Sequence, residues 1–305
     1  MKIRTLFDKI NLIPSFLKYS IKREKLLMLS VIIILNMEEY NKILTEISRD
    51  LNLIDSKLKE WNLNYFLTQK NRYISDLKFF KQYYKCGEIL EVGSLPYHFT
   101  AILKQLGYPI IGLNLNPNRA KEFINKYKLN IIECDVENEK IPFGDNIFGF
   151  IIFNEIFEHL RIDPIFTLKE LYRVLNRDGV MMLTTPNLYS LVKIIAFLSG
   201  RGFNDPYEEF NKLHSLGHVG HIREYSTREV KKFLENTGFK IIDVKYRKYE
   251  IDRKFIFKSL EKEIGPAKAR LTRLPLTILD LGLDLFYKIN PKWRPMQMII
   301  CKKEV

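Results

Sequence analysis

Cysteines, phosphate-binding glycine motifs and membrane-length apolar runs are scarce or absent in this 305-residue chain. The cysteines Cys86, Cys134 and Cys301 lie far apart, without paired or metal-like spacing. This argues against a disulfide framework and indicates a reducing, cytoplasmic compartment. Neither G-x-G-x-x-G nor G-x-x-x-x-G-K-[ST] occurs, so NAD and ATP are poor cofactor candidates. The run KLLMLSVIIILN has about ten apolar residues, well short of the roughly twenty that span a bilayer.

The positive charge is concentrated at the two ends of the chain. Residues 1–85 hold 16 Lys/Arg against 9 Asp/Glu, residues 86–250 hold 21 of each, and residues 251–305 hold 12 against 6. A nucleic-acid enzyme usually carries its basic charge around the active site, so the neutral middle makes a nucleic-acid partner a weak expectation. Basic flanks favour peripheral contact with an anionic membrane surface, here the inner face, and the alternative is surface lysine that serves only solubility.

The hydrophobic pattern changes near residue 87. Apolar residues from Glu38 to Tyr84 recur every three or four positions, which predicts helix. Short β-rich runs then alternate with helical segments, which predicts a parallel sheet covered on both faces. We predict an α/β, Rossmann-like fold with a seven-stranded, mostly parallel sheet, a helical N-terminal extension and a helical insert before the last strand. The predicted strands are 88–93, 109–114, 129–134, 147–153, 179–185, 239–246 and 296–303.

Ligands of an open parallel sheet bind at the carboxyl ends of the strands. The first predicted strand ends in Glu91-Val92-Gly93, and a glycine lets a ligand approach the backbone because no Cβ intervenes. The second ends at Asn114, the third precedes Asp135-Val136, and the fourth precedes Asn154.

In order and spacing, these residues resemble the class I S-adenosylmethionine-dependent methyltransferases over about residues 85–250 and the last strand. Ser94-Leu95-Pro96-Tyr97 replaces the family's later glycines, and Asn114 stands where the family usually has Asp or Glu. The resemblance implies S-adenosylmethionine as cofactor. It also implies that the cofactor contacts are Glu91, Gly93, Asn114, Asp135, Val136 and Asn154.

A polar segment, KLHSLGHVGHIREYSTREV, follows the fifth predicted strand. A similar segment borders the acceptor pocket in quinone-type and small-molecule methyltransferases, so the resemblance implies that His218 or His221 lies there, with His159 as the next candidate base. The spacing from His214 to His221 has no helix to hold it, and we predict no metal site. Ser226 and Glu229 have the spacing of a helix capping box.

Composition, hydrophobic periodicity and the resemblance together predict five segments. Residues 1–36 are a basic, apolar extension and residues 37–85 a helical segment. Residues 86–250 are the S-adenosylmethionine-binding catalytic domain, residues 251–294 a helical insert or lid, and residues 295–305 the last strand. We expect Pro275 to confine the helix of the insert to the residues after it.

These features together predict a methyltransferase that acts at oxygen on a small-molecule, glycan or lipid-linked acceptor. A hydroxyl acceptor needs a base during attack, and histidine suits that role. RNA or protein methylation is a first alternative. A degenerate methyltransferase fold that serves as a binding or scaffolding protein is a second, and cofactor titration separates it from an enzyme.

Overall fold

The computed structural model describes residues 38–55, 59–202, 204–217, 219–249, 261 and 265–304. The chain divides into two compact units, residues 1–47 and 48–305. The predicted extension 1–36, the start of the insert and His218 lie outside the described residues. Helix α1, residues 38–49, contains the described part of the first unit. The second unit contains the sheet.

A seven-stranded sheet forms the centre of the second unit, in the order β3-β2-β1-β4-β5-β7-β6. Neighbours from β3 to β5 pair in parallel, whereas β7 runs antiparallel to both β5 and β6. The predicted mostly parallel, Rossmann-like sheet is therefore confirmed. Its strands are β1 (Glu88–Val92), β2 (Ile110–Asn114), β3 (Asn130–Glu133), β4 (Phe148–Asn154), β5 (Leu175–Pro186), β6 (Phe239–Arg247) and β7 (Met296–Lys303).

The central strands are apolar because both of their faces are covered. In β4 the consecutive residues Phe150 to Phe153 are all 0% exposed, which a strand with one solvated face would not allow. Strand β5 has the same continuous burial from Val180 onward. The apolar core therefore lies on both sides of the sheet, and polar groups gather where the strands end.

Helices cover the two faces of the sheet. Ser226 and Glu229 form the predicted capping box at the start of one of them, where each side chain bonds to the other residue's backbone N–H. Asp163 caps another through Ile165 and Phe166. The helices are α2 (Lys59–Tyr83), α3 (His98–Gln105), α4 (Lys121–Tyr127), α5 (Pro164–Val174), α6 (Leu191–Leu198), α7 (Pro206–Leu216), α8 (Thr227–Asn236) and α9 (Pro266–Ile289).

Helix α9 corrects the expectation for Pro275. The helix begins at Pro266 and continues through Pro275, instead of beginning after that proline. A proline removes one intrahelical hydrogen bond, to the carbonyl four residues before it. Here that residue is Leu271, which is 77% exposed, so the interruption lies on an exposed part of the helix.

Candidate functional site

A cleft of about 980 Å³ opens at the carboxyl edge of the first four strands. Its volume is at the upper end of the range typical of small-molecule sites. Residues that follow β1, β2, β3 and β4 line one side, and residues of α2 and α7 line others. Of the residues predicted to contact the cofactor, the cleft brings together Gly93, Asn114, Asp135 and Val136.

The turn after β1 is compact although it lacks the later glycines. Gly93 has φ +67°, in the left-handed region that favours glycine. A Cβ added there would lie 2.1 Å from Cδ1 of Ile156, which also lines the cleft. Ser94 donates from its N–H and its Oγ to the Leu113 carbonyl, at 3.0 and 3.1 Å. Gly93 therefore allows the close approach of Ile156, and Ser94 holds the turn against β2.

Asn114 and Asp135 shape the next two turns along the edge. Oδ1 of Asn114 accepts a hydrogen bond from the Asn116 N–H at 2.9 Å. Asp135 accepts from the Glu137 N–H at 3.1 Å and from the Asn138 amide at 2.8 Å. A carboxylate oxygen has two lone pairs, so Asp135 keeps acceptor capacity toward a ligand.

Glu91 and Asn154 are not among the described residues that line the cleft. Glu91 is 8% exposed and accepts a hydrogen bond from the Thr100 hydroxyl. Burial raises the pKa of Glu91 to about 7, so much of its carboxyl is neutral at physiological pH. The Asn154 amide donates to Oδ2 of Asp76 on α2 at 3.4 Å. Both side chains join the cleft floor to neighbouring helices.

Helix α2 lines the cleft with a face that the sequence analysis did not assign to the site. The residues are Trp61, Tyr65, Thr68, Gln69 and Arg72. Their three- and four-residue spacing puts them on one side of the helix. Trp61 belongs to the apolar pattern of residues 38–84 that predicts helix, and no motif marks the polar members of this face. A mixed aromatic and polar stripe on a helix before the first strand was the available clue.

A buried charge network lies beside this face. Nη1 of Arg247, at the end of β6, bonds to Oδ1 of Asp76. Glu155 lies 3.9 Å from Nη1 of Arg72 and 4.0 Å from Nη2 of Arg247. Among the described residues, Nε of Arg72 and Nη2 of Arg247 are buried without a hydrogen-bond partner. Two unsatisfied cationic donors at a cleft wall suit an anionic ligand group.

At the other wall, Glu158, His159 and His221 form what we name the His–Glu cluster. The first two belong to a short 3-10 helix, Phe157–His159, that follows β4. The ligand atoms of the three residues all lie within 4.8 Å of one another, and the two imidazole centroids are 4.9 Å apart. Both histidines line the cleft, whereas Glu158 is 0% exposed beneath them.

Hydrogen bonds orient each member of the cluster. His159 Nδ1 lies 2.9 Å from the Gly220 carbonyl and 3.2 Å from that of Val219. His221 Nδ1 lies 3.2 Å from Oε1 of Glu224. One oxygen of Glu158 accepts from the Thr185 hydroxyl at 2.8 Å, while Oε1 has no hydrogen-bond partner among the described residues.

Burial governs protonation in the cluster. It raises the pKa of Glu158 well above its usual range and lowers the pKa of His221 to about 4. Burial also lowers the pKa of His159, against the opposing effect of the two backbone carbonyls. Both imidazoles are therefore neutral at pH 7, the form that accepts a proton or a cation. His214 is exposed on α7 and is outside the cluster.

Comparison with known proteins decides the family. A family model described as "Methyltransferase domain" matches residues 62–244, more than half of the chain. The chain belongs to the class I S-adenosylmethionine-dependent methyltransferases. S-adenosylmethionine is accordingly its cofactor, as the resemblance predicted. A search of curated proteins found no match.

Solved structures agree in fold. A SAM-dependent methyltransferase from Thermotoga maritima, described as a "possible histamine N-methyltransferase", superposes with a TM-score of 0.51 at 17% identity, covering 83% of this chain and 99% of that one. The [4+2]-cyclase SpnF has a TM-score of 0.50 at 13% identity, covering 78% of this chain and 82% of that one. A SAM-dependent methyltransferase from Archaeoglobus fulgidus has a TM-score of 0.49 at 17% identity, covering 77% of this chain and 94% of that one. At such low identity, similarity shows the fold alone.

The residues of this methyltransferase fit its cofactor. A nucleoside with an amino-acid tail needs polar groups for the ribose and the base, and a counter-charge for its carboxylate. Asn114 and Asp135 line the cleft and would provide polar groups for the ribose and the base, and Nε of Arg72 and Nη2 of Arg247, which have no hydrogen-bond partner among the described residues, would provide donors for the carboxylate. When bound, the cofactor supplies an electrophilic methyl group on a sulfonium.

Proposed function

We propose that this methyltransferase acts on a hydroxyl oxygen of a small-molecule, glycan or lipid-linked acceptor. The observation that carries the proposal is the His–Glu cluster at the cleft wall, in which Glu158 and His159 follow β4 and His221 follows α7. The chain passes the methionine end of the cofactor there in this family, so the cluster lies where the reactive methyl group is expected. Neutral imidazoles over a buried carboxyl suit a hydroxyl that must lose its proton.

We place the cofactor along the carboxyl edge of the first four strands. In this proposal Asn114 bonds to the ribose, Asp135 and the backbone of Val136 face the adenine, and Gly93 gives the backbone room. Arg72 and Arg247 hold the carboxylate. Glu91 and Asn154 act beneath the cleft as supports, because neither lines it.

The reaction is an in-line displacement. A bond forms between the acceptor oxygen and the methyl carbon while the carbon–sulfur bond breaks, and the hydroxyl proton leaves toward the cluster. The main work of the protein is alignment and exclusion of water. Lys212, Leu213 and Leu216 of α7 line the cleft, and Val219 and Gly220 after it position His159. These contacts support a cover over the reacting atoms.

Substitution of His221 by glutamine tests the acceptor side. We expect turnover to fall about 100- to 10,000-fold, since that is the usual contribution of a proton acceptor, while affinity for S-adenosylhomocysteine stays unchanged. His214→Gln, on the exposed face of α7, is the matched control and should leave both quantities unchanged. Full turnover in the His221 variant would remove the cluster from the reaction.

The acceptor class is tested by transfer of labelled methyl from S-adenosylmethionine into cell extract. Label in a lipid, glycan or small-molecule fraction supports the proposal. Label in RNA or protein would favour the first alternative. Tight cofactor binding with no labelled product would favour a binding or scaffolding protein.

We also propose that α9 contacts an anionic lipid surface, as a lipid-linked acceptor requires. Ile278, Leu281, Leu285 and Ile289 recur every three or four residues and are each 59–68% exposed. Asp284, by contrast, turns inward to bond Lys248. An exposed apolar helix face beside exposed Lys288 and Lys292 is typical of interfacial helices. None of the described helices is long and apolar enough to cross a membrane.

Vesicle binding tests this surface. The protein should bind vesicles of anionic lipid and dissociate steeply as salt rises, because the attraction includes screened charge. Leu281→Glu/Leu285→Glu should abolish binding, whereas the same pair of changes at exposed Tyr207 and Phe210 of α7 should not. Two results would contradict the proposal. One is equal binding of the protein to neutral and anionic vesicles, and the other is equal vesicle binding by the wild type and the α9 variant.

A further inference from the structure

We propose that the His–Glu cluster binds a divalent transition-metal ion of the zinc type. Glu158, His159 and His221 are its ligands, and its open coordination position points into the cleft. Two imidazoles with one carboxylate are a frequent ligand set for catalytic zinc and other first-row ions. Only the catalytic role of the ion rests on the proposed function. The binding itself follows from the residues alone.

The spacing of the ligand atoms favours an ion over a direct hydrogen bond. Nε2 of His221 lies 3.9 Å from Oε1 of Glu158. That distance is too long for a hydrogen bond, even if Glu158 is protonated. An ion bonded to both atoms at about 2.0–2.2 Å would bridge such a gap. The three ligand atoms lie within 4.8 Å of one another. They would need to move closer together by roughly 1 Å to reach the spacing of ligands around a tetrahedral ion.

The hydrogen bonds around the cluster select the tautomer that metal binding needs. Nδ1 of His159 faces two backbone carbonyl oxygens, those of Val219 and Gly220. Because a carbonyl oxygen can only accept a hydrogen bond, the ring proton of His159 is on Nδ1. Glu224 holds Nδ1 of His221 in the same way. The lone pairs of both rings are therefore on Nε2. Orientation of ligating histidines through the second nitrogen is the usual outer-shell arrangement of metal sites.

The hydrogen bonding of Glu158 also favours a cation. Glu158 is fully buried, and its Oε1 has no hydrogen-bond partner among the described residues. Glu224, behind His221, is paired with Lys193. A buried acceptor oxygen without a partner is costly, and a bound cation would remove that cost.

A bound ion would activate the acceptor. The acceptor hydroxyl would occupy the open position, where the ion would lower its pKa so that its proton passes to water. The resulting oxygen lone pair forms the bond to the methyl carbon as the carbon–sulfur bond breaks. The products are a methyl ether and S-adenosylhomocysteine. In this form of the reaction His159 and His221 ligate the ion and do not themselves accept the proton.

The test uses the full-length protein, stripped with a chelator and titrated with Zn²⁺ by calorimetry and with Co²⁺ by visible absorption. We expect one ion per chain. Glu158→Gln and His221→Asn should each weaken affinity more than about 100-fold, and Glu224→Gln about 10- to 100-fold. His214→Asn should have no effect. The affinity of each variant for S-adenosylhomocysteine reports whether that variant is folded. If Glu158→Gln does not fold, His221→Asn still tests the metal site.

The outcomes separate this inference from the proposed function. Absence of ion binding in the wild type, or equal ion affinity in wild type and His221→Asn, overturns the metal site. Methyl transfer that persists in chelator overturns the role of the ion and leaves the proposed function intact. Failure of the wild type to bind S-adenosylhomocysteine overturns the proposed function, whatever the metal result.

Discussion

Gly93→Ala is the perturbation whose effects the structure separates most clearly. Two costs are expected. An alanine at φ +67° is in the left-handed region, which costs about 1–2 kcal/mol. In addition, the new Cβ would lie 2.1 Å from Cδ1 and 2.6 Å from Cγ1 of Ile156. These atoms belong to a side chain that can rotate, and rotation displaces Ile156 within the cleft that it lines.

The magnitudes follow from these two effects. Overpacking of this kind costs about 1–3 kcal/mol, and in a cleft it is expressed as weaker binding. That corresponds to a loss of cofactor affinity of roughly 5- to 150-fold, at about 1.4 kcal/mol for each tenfold change. The free energy of unfolding should fall by about 1–2 kcal/mol from the backbone alone.

The assay is a double-mutant cycle read by calorimetric binding of S-adenosylhomocysteine and by urea unfolding. Adding Ile156→Ala to Gly93→Ala should recover most of the lost affinity but not the lost stability. Gly107→Ala is the matched control, because Gly107 has φ +81° and no atom of the described residues lies within 4 Å of an added Cβ. It should lose similar stability and no affinity. If Ile156→Ala does not restore binding, Gly93 touches the cofactor directly and the role assigned to Ile156 is wrong.

Two further predictions concern the polar residues of the edge. Asn114→Asp should keep or tighten binding of S-adenosylhomocysteine in a calorimetric titration, since a carboxylate binds a ribose hydroxyl more strongly than an amide does; a large loss in a folded variant would contradict this role. Glu91 has its pKa raised by burial from 4.5 to about 7, so its stabilising contribution is complete below pH 4.5 and is lost as pH rises to about 7. Glu91→Gln should remove this dependence, and urea unfolding at pH 5 and pH 8 measures it. An unchanged pH dependence in the variant would show that Glu91 is not its source.

Much of the sheet could be predicted from the sequence because strand formation here is governed by local composition. Runs such as 147–153 are apolar without alternation, and only a strand covered on both faces suits them. The capping box of Ser226 and Glu229 is likewise local, since both partners lie within one helical turn. Strands in that order also determine which turns meet at the carboxyl edge, so Gly93, Asn114 and Asp135 were predictable as neighbours.

Side-chain direction could not be predicted in the same way. Glu91 and Asn154 lie at the expected strand ends, yet their side chains bond to Thr100 and Asp76 outside the cleft lining. Local spacing determines where a residue lies along a strand. Packing between elements determines which neighbour the side chain reaches.

The strands, the helix caps and the edge at which the cleft opens therefore follow from the sequence alone, because each depends on residues close together in the chain. Only the tertiary structure brought Arg247 to Asp76 across 171 positions, and His221 to His159 across 62. No pattern of spacing in the chain records such meetings. They arise when β6 and the segment after α7 pack against the sheet, and they determine which charges are buried and which side chains line the cleft.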